Sequence, residues 1–133
     1  MSRYQNMFPF AFFLLLLGID QLLKYTVRHL GGFYICNPDI AFGIRLPEYI
    51  FWIFWIAIVF FIFLIIIKNY QGKEVYPWLA ILAGAMCNLI DRLFMDCVLD
   101  FINIQIWPIF NLADCFIVLG AIILIYRHWR KKS

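Results

Sequence analysis

The chain has 133 residues, of which 65% are hydrophobic and only 14% charged, with a net charge of +3. A soluble domain of this size has a large surface to cover and is about a quarter charged; eleven basic and eight acidic residues are too few for that. The balance excludes an ordinary soluble domain, a disordered chain and a nucleic-acid module, and leaves an integral membrane protein, read as one domain over 1–133.

The charges divide the chain into apolar blocks. Residues 4–19, 49–67 and 75–90 carry no charge, and 115–126 is a shorter uncharged run extended upstream by 108–113. A helix needs about 20 residues to cross the hydrocarbon. The blocks therefore predict four spans, at about 7–26, 49–68, 76–94 and 109–127, the last with Asp114 inside it. Pro47-Glu48, Pro77 and Pro108 are expected to open spans two, three and four, since proline suits a first turn and an acid suits the positive end of the dipole. No small-x-small site follows the leucine run of span one, so residues 1–30 read as a retained span and not a cleaved leader.

Lys and Arg set the orientation. Arg3, Lys68, Lys73, Arg127, Arg130, Lys131 and Lys132 fall on one side, against Lys24, Arg28, Arg45 and Arg92 on the other. The positive-inside rule then places both termini in the cytoplasm, with the basic tail as an anchor at an anionic leaflet. The outer loops are 27–48 and 95–107. In the first, Asn37-Pro38-Asp39 reads as a hairpin turn between 33–36 and 40–45. In the second, Ile102, Ile104 and Ile106 alternate with Asn103 and Gln105, a strand period that extends back to place Asp100 on the apolar side. The expected fold is all-α and membrane-integral, with four transmembrane helices and a small extracytoplasmic β element.

Ionisable and amide side chains inside spans are functional candidates, because an apolar solvent makes them costly. Here they share one depth, the outer third. Asp20 and Lys24 lie four apart on span one, Asn88 stands three and four residues before Asp91 and Arg92 on span three, and Asn111 stands three before Asp114 on span four. Asp100 lies in the loop between the last two. Each has a bland reading: an interfacial ion pair for Asp20 and Lys24, a helix-end cap for Asp91, Arg92 or Asn111. Asp114 resists one, lying a turn inside an apolar helix with no basic neighbour in sequence.

Two carboxyls in one site cannot both ionise easily, so the pair holds one proton. One can then take a proton from water while the other protonates a carbonyl or leaving amine. This is peptide hydrolysis without a metal, a cofactor or a nucleophilic side chain. His29 and His128 fall on opposite faces, so neither a zinc site nor a Ser-His triad can use both. Of Cys36, Cys87, Cys97 and Cys115, a Cys36–Cys97 bridge is open to an oxidising compartment, but reduced, packed thiols are the expectation.

Five blocks in order carry a family resemblance. AspGlnLeuLeuLys (20–24) resembles a DQ-x-x-K block, AsnProAspIleAlaPheGly (37–43) an N-x-G-x-AFG block, GlyAlaMetCysAsnLeuIleAspArgLeu (84–93) a GG-x-x-GN-x-IDR block, ValLeuAspPheIle (98–102) a V-x-DFI block and PheAsnLeuAlaAsp (110–114) an FN-x-AD block. Together they are similar to lipoprotein signal peptidase (signal peptidase II), a bacterial membrane aspartyl peptidase. The resemblance implies Asp100 and Asp114 as the catalytic pair, Asn37, Asn88, Arg92 and Asn111 as substrate-site residues, and Asp20 and Lys24 in support. It implies a diacylglyceryl-modified prolipoprotein as substrate, cut just before the lipidated cysteine, in the bacterial inner membrane. Membrane lipids are the other expected partners, and a monomer the expected state. Asp39 and Asp96 stand where the family usually has Gly, and Ala85 and Cys87 replace two further glycines; Asp96 is an added acid that could raise a catalytic pKa. The rival readings are a small transporter or proton-relay bundle using the same acids, and an inactive homologue that only binds precursors. A relay would thread acids across the bilayer, whereas spans two and four carry none in their inner halves. Both dyad positions are Asp, which disfavours the inactive homologue.

Overall fold

A computed structural model describes residues 6–39 and 44–133. Four helices, α1 (Met7–His29), α2 (Glu48–Asn69), α3 (Val75–Met95) and α4 (Leu112–Lys132), are joined by loops that carry two short strands, β1 (Ile35–Asn37) and β2 (Val98–Asp100). All four helices are long and apolar enough to cross a membrane. α2 shows what lipid does in place of a core. Only Ile62 and Ile66 of its residues are buried, while Ile53, Phe54, Phe60 and Phe61 are each more than half exposed. Such a face would be an aggregation site in water, and acyl chains are a solvent as apolar as its own side chains.

α3 is the hub. It packs most extensively on α4, then on α1 and α2, and buries Val75, Pro77, Leu79, Ala83, Gly84, Cys87, Leu89 and Asp91. Two glycines bring α3 and α4 together, as small residues do between helices in lipid. A Cβ on Gly84 would overlap the Ala113 carbonyl oxygen, and one on Gly120 would lie 2.7 Å from the Pro77 carbonyl oxygen. Gly84 therefore sets the backbone separation one turn before Asn88, where α3 faces the start of α4. Ile62 and Ile66 of α2 meet Val75 and Leu79 of α3 in an apolar cluster at the other end of the bundle.

The four predicted spans are present, with shifted ends. α1 continues to His29, and the basic tail is helical as far as Lys132. α4 does not begin at Pro108. Asn111 is its N-cap, in a capping box with Asp114, and this satisfies two amide groups that a start at 109 would leave to other partners. Phe110, just before Asn111, forms an isolated bridge with Ile102, two residues beyond the end of β2.

β1 pairs antiparallel with β2, Ile35 opposite Asp100 and Asn37 opposite Val98, across a sequence gap no local turn signal could reveal. Residues 40–43 of the expected hairpin lie outside the described residues. The second strand expectation needs correction, because the isoleucine alternation does not continue as a strand: Gln105 is left-handed (φ 65°), its N–H bonds to the Asn103 side chain, and Ile104 and Ile106 are exposed. An Asx turn at Asn103 overrides the period-2 pattern. The expectation of reduced thiols is overturned for Cys36 and Cys97, which form a disulfide; Cys87 and Cys115 are free.

Candidate active site

The β1–β2 pair places the first carboxylate. Because side chains alternate along a strand, Asn37, Val98 and Asp100 share one face, and Cys36 and Leu99 the other. Asp100 is 3% exposed. Its two oxygens accept separate hydrogen bonds, Oδ2 from Asn37 Nδ2 at 3.1 Å and Oδ1 from Asn111 Nδ2 at 2.9 Å.

The first turn of α4 places the second. Asp114 Oδ2 accepts from the Asn111 backbone N–H at 3.1 Å, and the Asp114 N–H donates to Asn111 Oδ1 at 3.0 Å. Asp114 Oδ1 accepts from Asn88 Nδ2 at 3.0 Å. Asn88 in turn accepts from Asn111 Nδ2, also at 3.0 Å. Asn111 thus touches both carboxylates at once, and Asn88 ties the arrangement to α3. The expected residues Asn37, Asn88, Asn111, Asp100 and Asp114 are all brought together.

Behind them lies a buried ion triad. Lys24 Nζ is 2.9 Å from Asp20 Oδ2 and 2.7 Å from Asp91 Oδ2, and all three side chains are fully buried. Each acid uses an oxygen to hold the backbone just before a candidate catalytic residue. Asp20 Oδ1 accepts from the Ala113 N–H at 2.8 Å, and Asp91 Oδ2 accepts from the Leu99 N–H at 3.2 Å. Ala113 precedes Asp114, and Leu99 precedes Asp100. The support expected of Asp20 and Lys24 therefore has a physical route, and Asp91 has an equal part that the sequence reading did not assign. Gln21 was missed as well; it donates to Asp91 and to the Cys87 carbonyl. The signal available was spacing, since Asp91 lies four residues after Cys87 on one α3 face, but its Lys24 partner is 67 positions away.

Arg92 stands at the rim. Its guanidinium donates to the Asp39 carbonyl at 3.0 Å and lies over the Phe51 ring, 4.9 Å from the centroid. It lines a cavity of about 350 Å³ together with Pro38, Arg45, Phe51, Trp52 and Asp96. The two acid-for-glycine departures have structural accounts. Asp96 takes the left-handed position (φ 59°) that ends α3, a conformation usually given to Gly and tolerated by Asp. Asp39 pairs with Arg45 at 2.6 Å, and its N–H bonds to Asn37 Oδ1.

Burial pushes the Asp100 carboxyl up to about 6 from the ordinary 3.8, and the neighbouring Asp114 pushes the same way; hydrogen bonds from Asn37 and Asn111 and the charge of Lys24 oppose it. Between about pH 4 and pH 6 the folded chain keeps a proton that the unfolded chain has lost, so this group's contribution to stability declines as pH rises through that window. Removing a hydrogen bond to the charged form raises a carboxyl pKa. Asn37→Leu is therefore expected to move the Asp100 ionisation above about 6, read from the infrared carboxyl band; an unmoved or lowered ionisation counts against the assignment.

A pair of this kind can hold one proton between two carboxyls and pass protons to and from a bound substrate. Among the described residues no group of three His, Cys, Asp or Glu is arranged to hold a metal ion.

Comparison with known proteins gives the same direction. A family model described as signal peptidase (SPase) II matches residues 12–130. A Moorella thermoacetica protein named lipoprotein signal peptidase is 37% identical over 131 residues, which is 86% of this chain and 87% of the relative. A Rickettsia africae protein of the same name is 36% identical over 123 residues, 86% of this chain but 61% of that longer relative. A solved structure of a bacterial membrane enzyme superposes with a TM-score of 0.75 at 23% identity, covering 94% of this chain and 89% of the other. At that identity the superposition speaks for the fold alone.

Proposed function

The chain belongs to the signal peptidase II family, and from that premise we propose that it removes signal peptides from diacylglyceryl-modified prolipoproteins by aspartyl catalysis at Asp100 and Asp114. The observation that carries the mechanism is the position of Asn111, whose side-chain amide donates to Asp100 while its backbone N–H donates to Asp114. One residue thereby fixes both carboxylates.

In this reading the pair holds one proton. The ionised carboxylate takes a proton from water as that water attacks the scissile carbonyl. The protonated one donates to the carbonyl oxygen and then to the leaving amine. The Asp100 carboxyl, buried and shifted up to about 6, suits the proton-holding role. Asn88 and Arg92 bind the peptide near the scissile bond, and the acyl chains of the modified cysteine remain in the bilayer. The clustering of Asp20, Asp91, Asp100 and Asp114 at one depth favours this over a proton relay, which needs acids along the whole path.

The orientation follows from two independent arguments. The Lys and Arg excess on the side of the 70–74 loop and of the α4 end points to the cytoplasm. The Cys36–Cys97 disulfide on the opposite side belongs to an oxidising compartment. The dyad then lies toward the outer face, with both termini inside. A thiol-reactive tag at Gly72 is expected to label only from the cytoplasm and one at Gly32 only from outside; labelling of Gly72 from outside reverses the topology.

The direct test uses the purified protein in detergent with a diacylglyceryl-modified precursor. Cleavage immediately before the modified cysteine is expected, with a monomer as the active species. Absence of cleavage by folded protein, or equal cleavage of precursor lacking the lipid, overturns the substrate assignment.

A further inference from the structure

We propose that the Cys36–Cys97 disulfide is a positioning element of the active site, holding β1 against β2 so that Asn37 stays on Asp100. The proposal rests on the reading of Asp100 as one of the catalytic pair.

The two strands are only three residues each and are separated by the whole of α2 and α3. A two-stranded ribbon of this length is marginal by itself. β1 is also poorly covered: Ile35 and Cys36 are exposed, and Asn37 is half-buried. Against that background the covalent link is the strongest tie between the strands. Its placement matters. Cys36 lies on one face of the pair, beside Leu99, and Cys97 bonds to it there. Asn37, the next residue, projects from the other face to Asp100 Oδ2 at 3.1 Å. The disulfide thus staples the ribbon from behind while its front presents the Asn37–Asp100 contact. The Arg92 hydrogen bonds to the Pro38 and Asp39 carbonyls and the Asp39–Arg45 pair hold the turn after β1 but not the strand register.

Cys36 is exposed, whereas Cys97 is buried, so a small dithiol approaches the link from the Cys36 side. Reduction transfers two electrons and two protons from the dithiol, which closes to its own disulfide, and leaves Cys36 and Cys97 as thiols. With the staple open, β1 can part from β2 and Asn37 from Asp100. The charged groups that face Asp100 from the packed helices stay in place: Lys24 from α1, Arg92 from α3 and Asp114 from α4. The lost amide contact is then the one that changes.

The test compares oxidised parent, parent treated with dithiothreitol, Cys36→Ser/Cys97→Ser and Asn37→Leu, all as full chains in detergent. Two quantities are read: kcat on the lipid-modified precursor across pH, and the Asp100 carboxyl titration by infrared spectroscopy. Reduction is expected to lower kcat by about tenfold, the effect of one hydrogen bond to a charged group, and to move the Asp100 ionisation upward. The double serine variant should show the same values without reductant and no further response to it. Combining it with Asn37→Leu should add little, because both remove one contact. Parental kcat and an unmoved titration in the reduced and serine forms overturn the proposal. If Asp100→Asn cleaves normally, the dyad reading fails instead, and the infrared arm still decides whether the disulfide holds Asn37 on Asp100. Reduction of already folded parent covers the case in which the serine variant does not fold.

Discussion

Asp100→Asn and Asp114→Asn are each expected to lower precursor cleavage by at least roughly 10²-fold, the contribution of a single general acid or base step, while leaving a folded, membrane-inserted protein. Both substitutions conserve shape. At Asp114, an Asn can still accept from Asn88 or from the Asn111 N–H, so the start of α4 keeps much of its cap. At Asp100, an Asn keeps one acceptor for the two amides of Asn37 and Asn111 that now point at it. What neither can do is exchange a proton. Binding should therefore survive, and precursor capture measured beside cleavage separates the two. Near-parental turnover in either variant would sink the aspartyl mechanism. Loss of binding together with cleavage would mean that the residue anchors substrate or structure.

The second large effect is expected at Lys24. Lys24→Met leaves Asp20 and Asp91 facing each other in a fully buried space with their shared cation gone. Breaking a buried ion pair by removing one partner typically costs about 3–5 kcal/mol, and here two carboxylates lose their counter-charge together. A large drop in thermal stability in detergent should follow, with cleavage lost because Asp20 and Asp91 no longer hold the Ala113 and Leu99 amides. A triple variant, Lys24→Met with Asp20→Asn and Asp91→Asn, removes the stranded charge but keeps both acceptors, and should regain most of the stability. If Lys24→Met melts like the parent, the triad is not what holds the two candidate catalytic backbones in register. If the triple variant melts no higher than the single one, packing and not charge is the cause.

The sequence reading was strongest where the physics is local. A helix in lipid must satisfy its own backbone and show an apolar surface all round, so an uncharged block such as 49–67 can be little else, and α2 duly spans Glu48–Asn69. The depth at which the polar residues gather was also legible, because chain order in a four-span protein fixes which helix ends lie together. The residue-by-residue resemblance then pointed to Asp100 and Asp114, and the structure places both in hydrogen-bond contact with Asn111. It was weakest in the loops. Ile102, Ile104 and Ile106 gave a clean alternation, yet an Asx turn at Asn103 bends the chain away.

By itself the sequence determined a four-helix membrane protein with one polar cluster, since both follow from how apolar and charged side chains partition along the chain. Only the tertiary structure decided which polar groups meet. The pairing of β1 with β2, the Cys36–Cys97 link and the Asp91–Lys24 bond join positions more than sixty residues apart. No periodicity carries such information, because these partners are chosen by how α3 packs between α1 and α4. That packing rests on close contacts such as Gly84 against the Ala113 carbonyl. It turns Asn88 toward Asn111 and Asp114 and buries Lys24 between its two acids, so the geometry of the site is set by the helix interface and not by any segment within it.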